Sequence, residues 1–150
     1  MNMRKRPTAI GLWFLVGAVV LGTAARTTSA QSEKMHRVVF ELTSDNPEQW
    51  EAALNNVENL QRAFGKEHTE IEVVAHGKGL EALRKTNTSS GERITSISKN
   101  GVRFAACENT MRKMHLTKDD LLPVSQPVDS GVAEVVRKQE AGWAYLKSSR

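Results

Sequence analysis

A single cysteine, Cys107, has the greatest chemical potential of any residue in this sequence. It follows an apolar run, residues 102–106, that predicts a buried strand, and it precedes residues 108–115, which predict a helix. A cysteine at such a junction lies near the first backbone N–H groups of the helix, where the helix dipole favours the nucleophilic thiolate. Free cysteines are also among the most buried residue types, so an inert core position is the open alternative.

A histidine, His76, is the second candidate. It follows another apolar run, residues 71–75, and it precedes a turn, Gly77-Lys78-Gly79, whose spacing is not that of a phosphate-binding or dinucleotide-binding loop. If both runs are parallel strands, His76 and Cys107 lie at the same edge of the sheet, where His76 can act as a cationic partner or proton acceptor for the thiol. The spacing of these two residues and His115 fits no compact zinc pattern, so we expect neither a metal nor a cofactor.

Strands and helices are expected to alternate around these residues. Residues 37–42 predict a further strand, and residues 47–64 predict a long helix that begins after Asn46 and ends at Gly65. Further helices are predicted at 80–84, 92–99, 108–115 and 131–140, and a last strand at 143–146. Such alternation implies βαβ crossovers. The sequence therefore predicts an α/β fold, a three-layer sandwich whose mainly parallel central sheet has about four to five strands.

The first thirty residues have the pattern of a secretory signal. A basic patch, Arg4–Arg6, precedes an uncharged stretch, residues 9–25, and the small residues Thr28–Ala30 predict signal-peptidase cleavage after Ala30. An uncleaved anchor is the alternative, but an apolar stretch of roughly 17 residues is marginal for a membrane span. We therefore expect residues 1–30 to be removed, residues 31–150 to form one domain, and the protein to be periplasmic or secreted.

Removal of this segment changes the electrostatic balance of the protein. The whole chain has a net charge of +4, but four of its 21 basic residues lie before residue 31, and the remaining 17 equal the 17 acidic ones. A neutral domain with interleaved charges gives no support to a nucleic-acid partner. Since the chain has one cysteine, it cannot form an internal disulfide even in an oxidising compartment.

Three segments of the mature chain share one further pattern. They are Val73–Gly77 (VVAHG), Gly101–Met111 (GVRFAACENTM) and a C-terminal part made of Gly131–Gln139 and Gly142–Leu146. In this order and spacing they resemble the DsrE/DsrF-like (YchN-like) family. The resemblance implies a compact α/β domain with a parallel central sheet, assembled as trimers or hexamers. It also implies sulfur transfer, because the best-understood members are cytoplasmic carriers in which the cysteine matched here by Cys107 holds a persulfide.

The resemblance makes Cys107 the expected acceptor of sulfane sulfur, and it makes His76, Gly77, Asn109 and Thr110 the expected surroundings. We predict an exported, homo-oligomeric sulfur carrier that exchanges sulfur with a donor or acceptor protein, with sulfur transfer as its only enzymatic step. Two alternatives remain open, a non-catalytic module that binds a small ligand or a protein, and a thiol redox sensor. No membrane contact is expected beyond the signal segment.

Overall fold

The structure is a computed structural model that describes residues 34–147. The predicted signal peptide, residues 1–30, and its cleavage site after Ala30 lie outside the described residues. The strands are β1 (His36–Leu42), β2 (Thr69–Ala75), β3 (Arg103–Cys107), β4 (Ser125–Val128) and β5 (Ala144–Lys147). The helices are α1 (Pro47–Phe64), α2 (Gly91–Ser98), α3 (Glu108–Lys113) and α4 (Gly131–Glu140), with 3₁₀ turns at Lys66–His68, Gly77–Leu83 and Lys118–Asp120.

The strands form one parallel sheet in the order β4-β3-β2-β1-β5. The first four strands follow chain order across the sheet, and the chain then returns through α4 to place β5 beside β1. This arrangement confirms the predicted α/β fold and its mainly parallel sheet of four to five strands. Because every strand runs in the same direction, the carboxyl ends of all of them lie along one edge of the sheet.

The longest described helix, α1, has the boundaries that the sequence predicted. The side chain of Asn46 accepts a hydrogen bond from the backbone N–H of Glu48 at 2.9 Å, and Pro47 occupies the first turn, where its missing N–H has no helical partner. Gly65, with φ 86°, ends the helix. None of the helices within residues 34–147 is long and apolar enough to cross a membrane.

The two faces of the sheet bury different amounts of apolar side chain. On one face, α1, α2 and the Gly77–Leu83 turn enclose a large core that includes Phe40 and Phe104. On the opposite face, α4 covers a smaller group, which we call the α4-side core: Val39, Val74, Ala105 and Val135. The buried carboxylate of Glu72 lies on the side of the sheet with the smaller apolar group, where it pairs with Lys138 of α4.

A buried ion pair fixes α4 to the sheet. Glu72, whose side chain is 5% exposed, lies 2.8 Å from Lys138 Nζ in α4 and 2.9 Å from Arg103 Nε in β3. Both cations also lie over the ring of Trp143, at 4.4 Å and 5.5 Å from its centroid. A buried carboxylate is costly unless it is paired, and Lys138 and Arg103 provide that pairing for Glu72 between α4 and the sheet.

Three elements differ from the sequence-based prediction. The edge strand β4 was not predicted, because it is short and contains Pro127, which cannot donate to a ladder and is tolerated only at an edge. The predicted helix at 80–84 is instead the 3₁₀ turn Gly77–Leu83. The predicted helix at 108–115 ends at Lys113, and His115 adopts a φ of 55° that no helix continues.

Candidate functional site

Three polar side chains form a row across the carboxyl edge of the sheet. They belong to Glu41 in β1, His76 directly after β2, and Cys107 at the end of β3. Each stands two residues after a member of the α4-side core, so strand alternation places all three on the face that α4 covers. Ala75 pairs with Ala106, and His76 and Cys107 are therefore the next residues of two neighbouring strands.

The first residue of α4, Gly131, lies directly over His76 and Cys107. A Cβ at Gly131 would stand 2.8 Å from His76 Cβ and 3.2 Å from Cys107 Cβ. The Cβ atoms of His76 and Cys107 are therefore no more than about 6 Å apart, the sum of those two distances. Any larger residue at this position would push α4 away from the strand ends.

The Cys107 side chain lies at the N-termini of two helices. Cys107 is the N-cap of α3, and its Cβ is close to the first residue of α4. Burial raises the pKa of the Cys107 thiol, because the residue is only 4% exposed. The Thr110 hydroxyl and the backbone N–H groups of Gly131, Thr110 and Asn109 outweigh that effect, and the pKa falls below its ordinary value. Two helix dipoles and four donors thus favour the thiolate.

Thr110 connects the thiol to the turn after β2. Its Oγ1 accepts a hydrogen bond from the backbone N–H of Gly77 at 2.9 Å, so that its own proton is available to the Cys107 sulfur. Gly77 has φ 53°, in the left-handed region that glycine adopts at little cost. The turn that follows β2 therefore orients a hydroxyl of α3 toward the sulfur.

Glu41 holds the ring of His76. One carboxylate oxygen of Glu41 lies 2.8 Å from His76 Nε2, and the other accepts a hydrogen bond from the hydroxyl of Tyr145 in β5. Burial raises the pKa of Glu41, but the hydrogen bonds from Tyr145 and His76 and the charge of His76 lower it below its ordinary value. The same hydrogen bond to Glu41 raises the pKa of Tyr145 to about 12.

His76 and Cys107 both line a cleft of about 540 Å³ at this edge of the sheet. The rim carries charges of both signs, including Lys78, which lies 3.3 Å from Asp45. The volume is within the range of sites that bind small molecules. No three His, Cys, Asp or Glu side chains within residues 34–147 cluster in a way that could hold a metal ion.

The chain matches one known family over most of its length. The model of the DsrE/DsrF-like family covers residues 21–148. The chain belongs to the DsrE/DsrF-like family. No protein with a curated description matches it.

Solved structures with the same fold include proteins from an archaeon and two bacteria. This DsrE-like chain is 38% identical to MTH1491, a protein of unknown function from Methanobacterium thermoautotrophicum, with a TM-score of 0.71 over 75% of this chain and 98% of that one. YchN from E. coli is 8% identical to this chain, with a TM-score of 0.59 over 76% of this chain and 98% of that one. BT1422, a protein of unknown function from Bacteroides thetaiotaomicron, is 14% identical, with a TM-score of 0.55 over 74% of this chain and 93% of that one. The last two show the fold alone.

The DsrE-like fold brings together the residues that the sequence singled out. His76, Gly77, Asn109 and Thr110 line the same cleft as Cys107, and their functional roles stay predictions. His115 is not among the lining residues.

The sequence analysis missed three neighbours of the site: Glu41, Gly131 and Tyr145. One signal was available, because Glu41 is a charged residue within a run that otherwise reads as buried on both faces.

Proposed function

We propose that this protein carries sulfane sulfur as a persulfide on Cys107 and passes it to a partner. The observation that best supports the proposal is the environment of Cys107, which lines an open cleft and has four donors that favour its thiolate. A cysteine that only fills a core has no need of such donors. Membership of the DsrE/DsrF-like family also supports a role related to sulfur relay.

The proposed step is an exchange between sulfur atoms. The Cys107 thiolate attacks the outer sulfur of a donor persulfide, R–S–SH, and a bond forms between these two sulfurs. The bond between the outer and inner sulfurs of the donor breaks, and the donor leaves with the electron pair as a thiolate that takes up a proton. An acceptor thiolate later attacks the terminal sulfur, and Cys107 leaves as a thiolate. Each step replaces one S–S bond by another, so no outside oxidant or reductant is needed.

Neighbouring groups have separate parts in this proposal. The Thr110 hydroxyl and the N-termini of α3 and α4 stabilise the thiolate both before attack and after release. His76, whose Cβ is no more than about 6 Å from that of Cys107, accepts the thiol proton and returns it to the departing donor thiolate. The cleft admits the donor and the acceptor in turn.

Intact mass spectrometry tests the carrier role. Mature protein is incubated with polysulfide beside a Cys107→Ser variant, and alkylation locates the adduct. We expect a gain of roughly 32 Da, one sulfur atom, that reductant removes and that Cys107→Ser lacks. If Cys107 stays unmodified and resists alkylation until the protein is unfolded, the carrier role is wrong.

The cleft favours one alternative, a module that binds a small ligand or a protein segment beside an unreactive Cys107. That alternative predicts that Cys107→Ser binds its ligand as well as the wild type does. A thiol sensor that joins two copies by a disulfide between their Cys107 residues predicts instead a covalent dimer on mild oxidation.

We also propose that the protein is exported and assembles from several copies. The pattern of residues 1–30 supports export. Two apolar side chains of α4 support assembly, because Val132 beside the cleft is 58% exposed and Val136 is 46% exposed. Mass analysis of the protein from a periplasmic extract should find Gln31 as its first residue, and light scattering should find an oligomer. A monomer with an intact N-terminus would contradict both proposals.

A further inference from the structure

A hydrogen-bonded chain leads from the edge strand of the sheet to His76, the neighbour of Cys107. The hydroxyl of Tyr145 in β5 donates to Glu41 in β1, and Glu41 bonds to His76, which lies beside Cys107. These residues come from four strands or strand ends that are neighbours in the sheet, β5, β1, β2 and β3. Sulfur transfer as written above does not by itself require the first two members of this chain.

The contact between Glu41 and His76 is more than a surface ion pair. Both side chains are only 18% exposed, and both carboxylate oxygens of Glu41 have partners. A carboxylate that is mostly buried is costly to desolvate unless it is paired. The hydrogen bond to Glu41 fixes the position of the His76 ring.

The two ends of the His76 ring have different surroundings. Nε2, at the far end, bonds to Glu41 at 2.8 Å. Cγ, the ring atom to which Nδ1 is attached, is at the other end, 3.1 Å from where a Cβ on Gly131 would stand, and that same point is 3.2 Å from Cys107 Cβ. An ionised Glu41 requires a proton on Nε2, which leaves Nδ1 free to accept one.

We propose that Glu41 and Tyr145 are positioning residues that fix the proton of His76 on Nε2 and so assign Nδ1 to proton exchange with Cys107. The thiol gives its proton to Nδ1, forming a thiolate and an imidazolium, and the imidazolium returns the proton to the thiolate that leaves. The transfer of the thiol proton to Nδ1 is the same for any electrophile. With iodoacetamide the leaving group is iodide and the imidazolium loses its proton to solvent, so only the return of the proton to a departing thiolate rests on the proposed function.

Several charged or titratable groups surround His76 besides Glu41. They come from β5, from β3 and α3, and from the loops at the cleft, and each contributes to the titration that an experiment would observe. Tyr145 and Lys147 act on Glu41, and Cys107, Asp45, Lys78, Glu81 and Lys113 line the same cleft as His76.

The rate at which iodoacetamide alkylates Cys107, followed against pH by intact mass, tests the proposal. In Glu41→Gln the neutral amide no longer stabilises the imidazolium, and we expect the rate at neutral pH to fall about tenfold, as for a midpoint one unit higher. Tyr145→Phe keeps the carboxylate and should lower the rate about two- to threefold. Glu70→Gln is the matched control, because Glu70 is an exposed partner of Arg37 near the start of β2, and it should leave the rate unchanged.

Nitrogen-15 spectra of histidine-labelled protein give a second readout, which a merely structural role would not move. Wild-type His76 should show the Nε2–H tautomer, and Glu41→Gln should show a mixture. An unchanged alkylation midpoint in folded Glu41→Gln, or an Nδ1–H tautomer in the wild type, would overturn the proposal. If Glu41→Gln does not fold, Tyr145→Phe decides alone, and a wild-type profile there overturns it.

The persulfide experiment remains independent of this result. A wild-type protein with the expected alkylation profile and tautomer that never gains sulfur would refute sulfur carrying and support the positioning role. A protein that gains sulfur on Cys107 but has the same alkylation profile in Glu41→Gln as in the wild type would support sulfur carrying and refute the positioning role.

Discussion

The Thr110 hydroxyl offers a direct test of why Cys107 forms a thiolate. Thr110→Val keeps the shape of the side chain and removes the donor. A hydrogen bond to a charged group contributes about 1.5–3 kcal/mol, and each pKa unit corresponds to about 1.36 kcal/mol, so the loss raises the Cys107 pKa by about one to two units. We expect the lower end, because the backbone N–H groups of Gly131, Thr110 and Asn109 remain.

The same substitution also removes a partner from the backbone. Gly77 N–H donates to Thr110 Oγ1 at 2.9 Å and loses this acceptor in Thr110→Val. An unsatisfied donor in a half-buried site lowers the free energy of unfolding by about 1–2 kcal/mol. Thr110→Ser restores the hydroxyl and should recover most of both effects.

The pKa in this experiment comes from the pH dependence of alkylation, which is unambiguous because Cys107 is the only thiol in the chain. Thr95→Val is the matched control, since the Thr95 hydroxyl donates to the Gly91 carbonyl at 2.9 Å within α2 and has no contact with the cleft. A Thr110→Val protein that is folded and has the wild-type Cys107 pKa would refute the reasoning.

Two further predictions concern the neighbours of the thiol. Gly131→Ala should lower the free energy of unfolding by about 1–3 kcal/mol and slow the alkylation of Cys107, because the new Cβ meets His76. Gly91→Ala is the control, since its new Cβ has its nearest contact at 3.5 Å, and it should have neither effect. Equal effects in both variants would contradict this prediction. Tyr145, the only tyrosine, should titrate near pH 12 by phenolate absorbance and closer to its ordinary 10.0 in Glu41→Gln. Since the pKa of Tyr145 is raised, the stability from its hydrogen bond to Glu41 is complete below pH 10.0 and is lost as pH rises through 12. A wild-type Tyr145 midpoint near 10.0 would contradict this hydrogen bond.

The fold could be predicted because its signals are local. Asn46 and Pro47 mark the start of α1, and Gly65 marks its end. Three apolar runs identify β1 to β3. β4 carries no such signal, since its four residues include Pro127 and its pairing with β3 depends on the edge position. A segment of four residues that includes a proline has too little local pattern to indicate a strand.

The candidate site could be predicted only in part, for the same reason. Cys107 and His76 were found because each directly follows a recognisable strand. Glu41 was passed over as a member of a buried strand, and its partner Tyr145 is 104 positions further along the chain. That contact exists because β5 pairs with β1 rather than with β4, which is a property of the sheet order and not of any local segment.

The surroundings of Cys107 are completed by the C-terminal part of the fold. β1, β2 and β3 bring Glu41, His76 and Cys107 into one row, but the Gly131 N–H arrives with α4 and the Tyr145 hydroxyl with β5. A local opening that releases α4 and β5 would leave the large core on the other face intact, since α1 and α2 cover it. We expect the opened state to have a thiol with a higher pKa and a His76 whose tautomer is less fixed. On the proposed function, the reactivity of Cys107 would then depend on the docking of α4 and β5, which do not contain it.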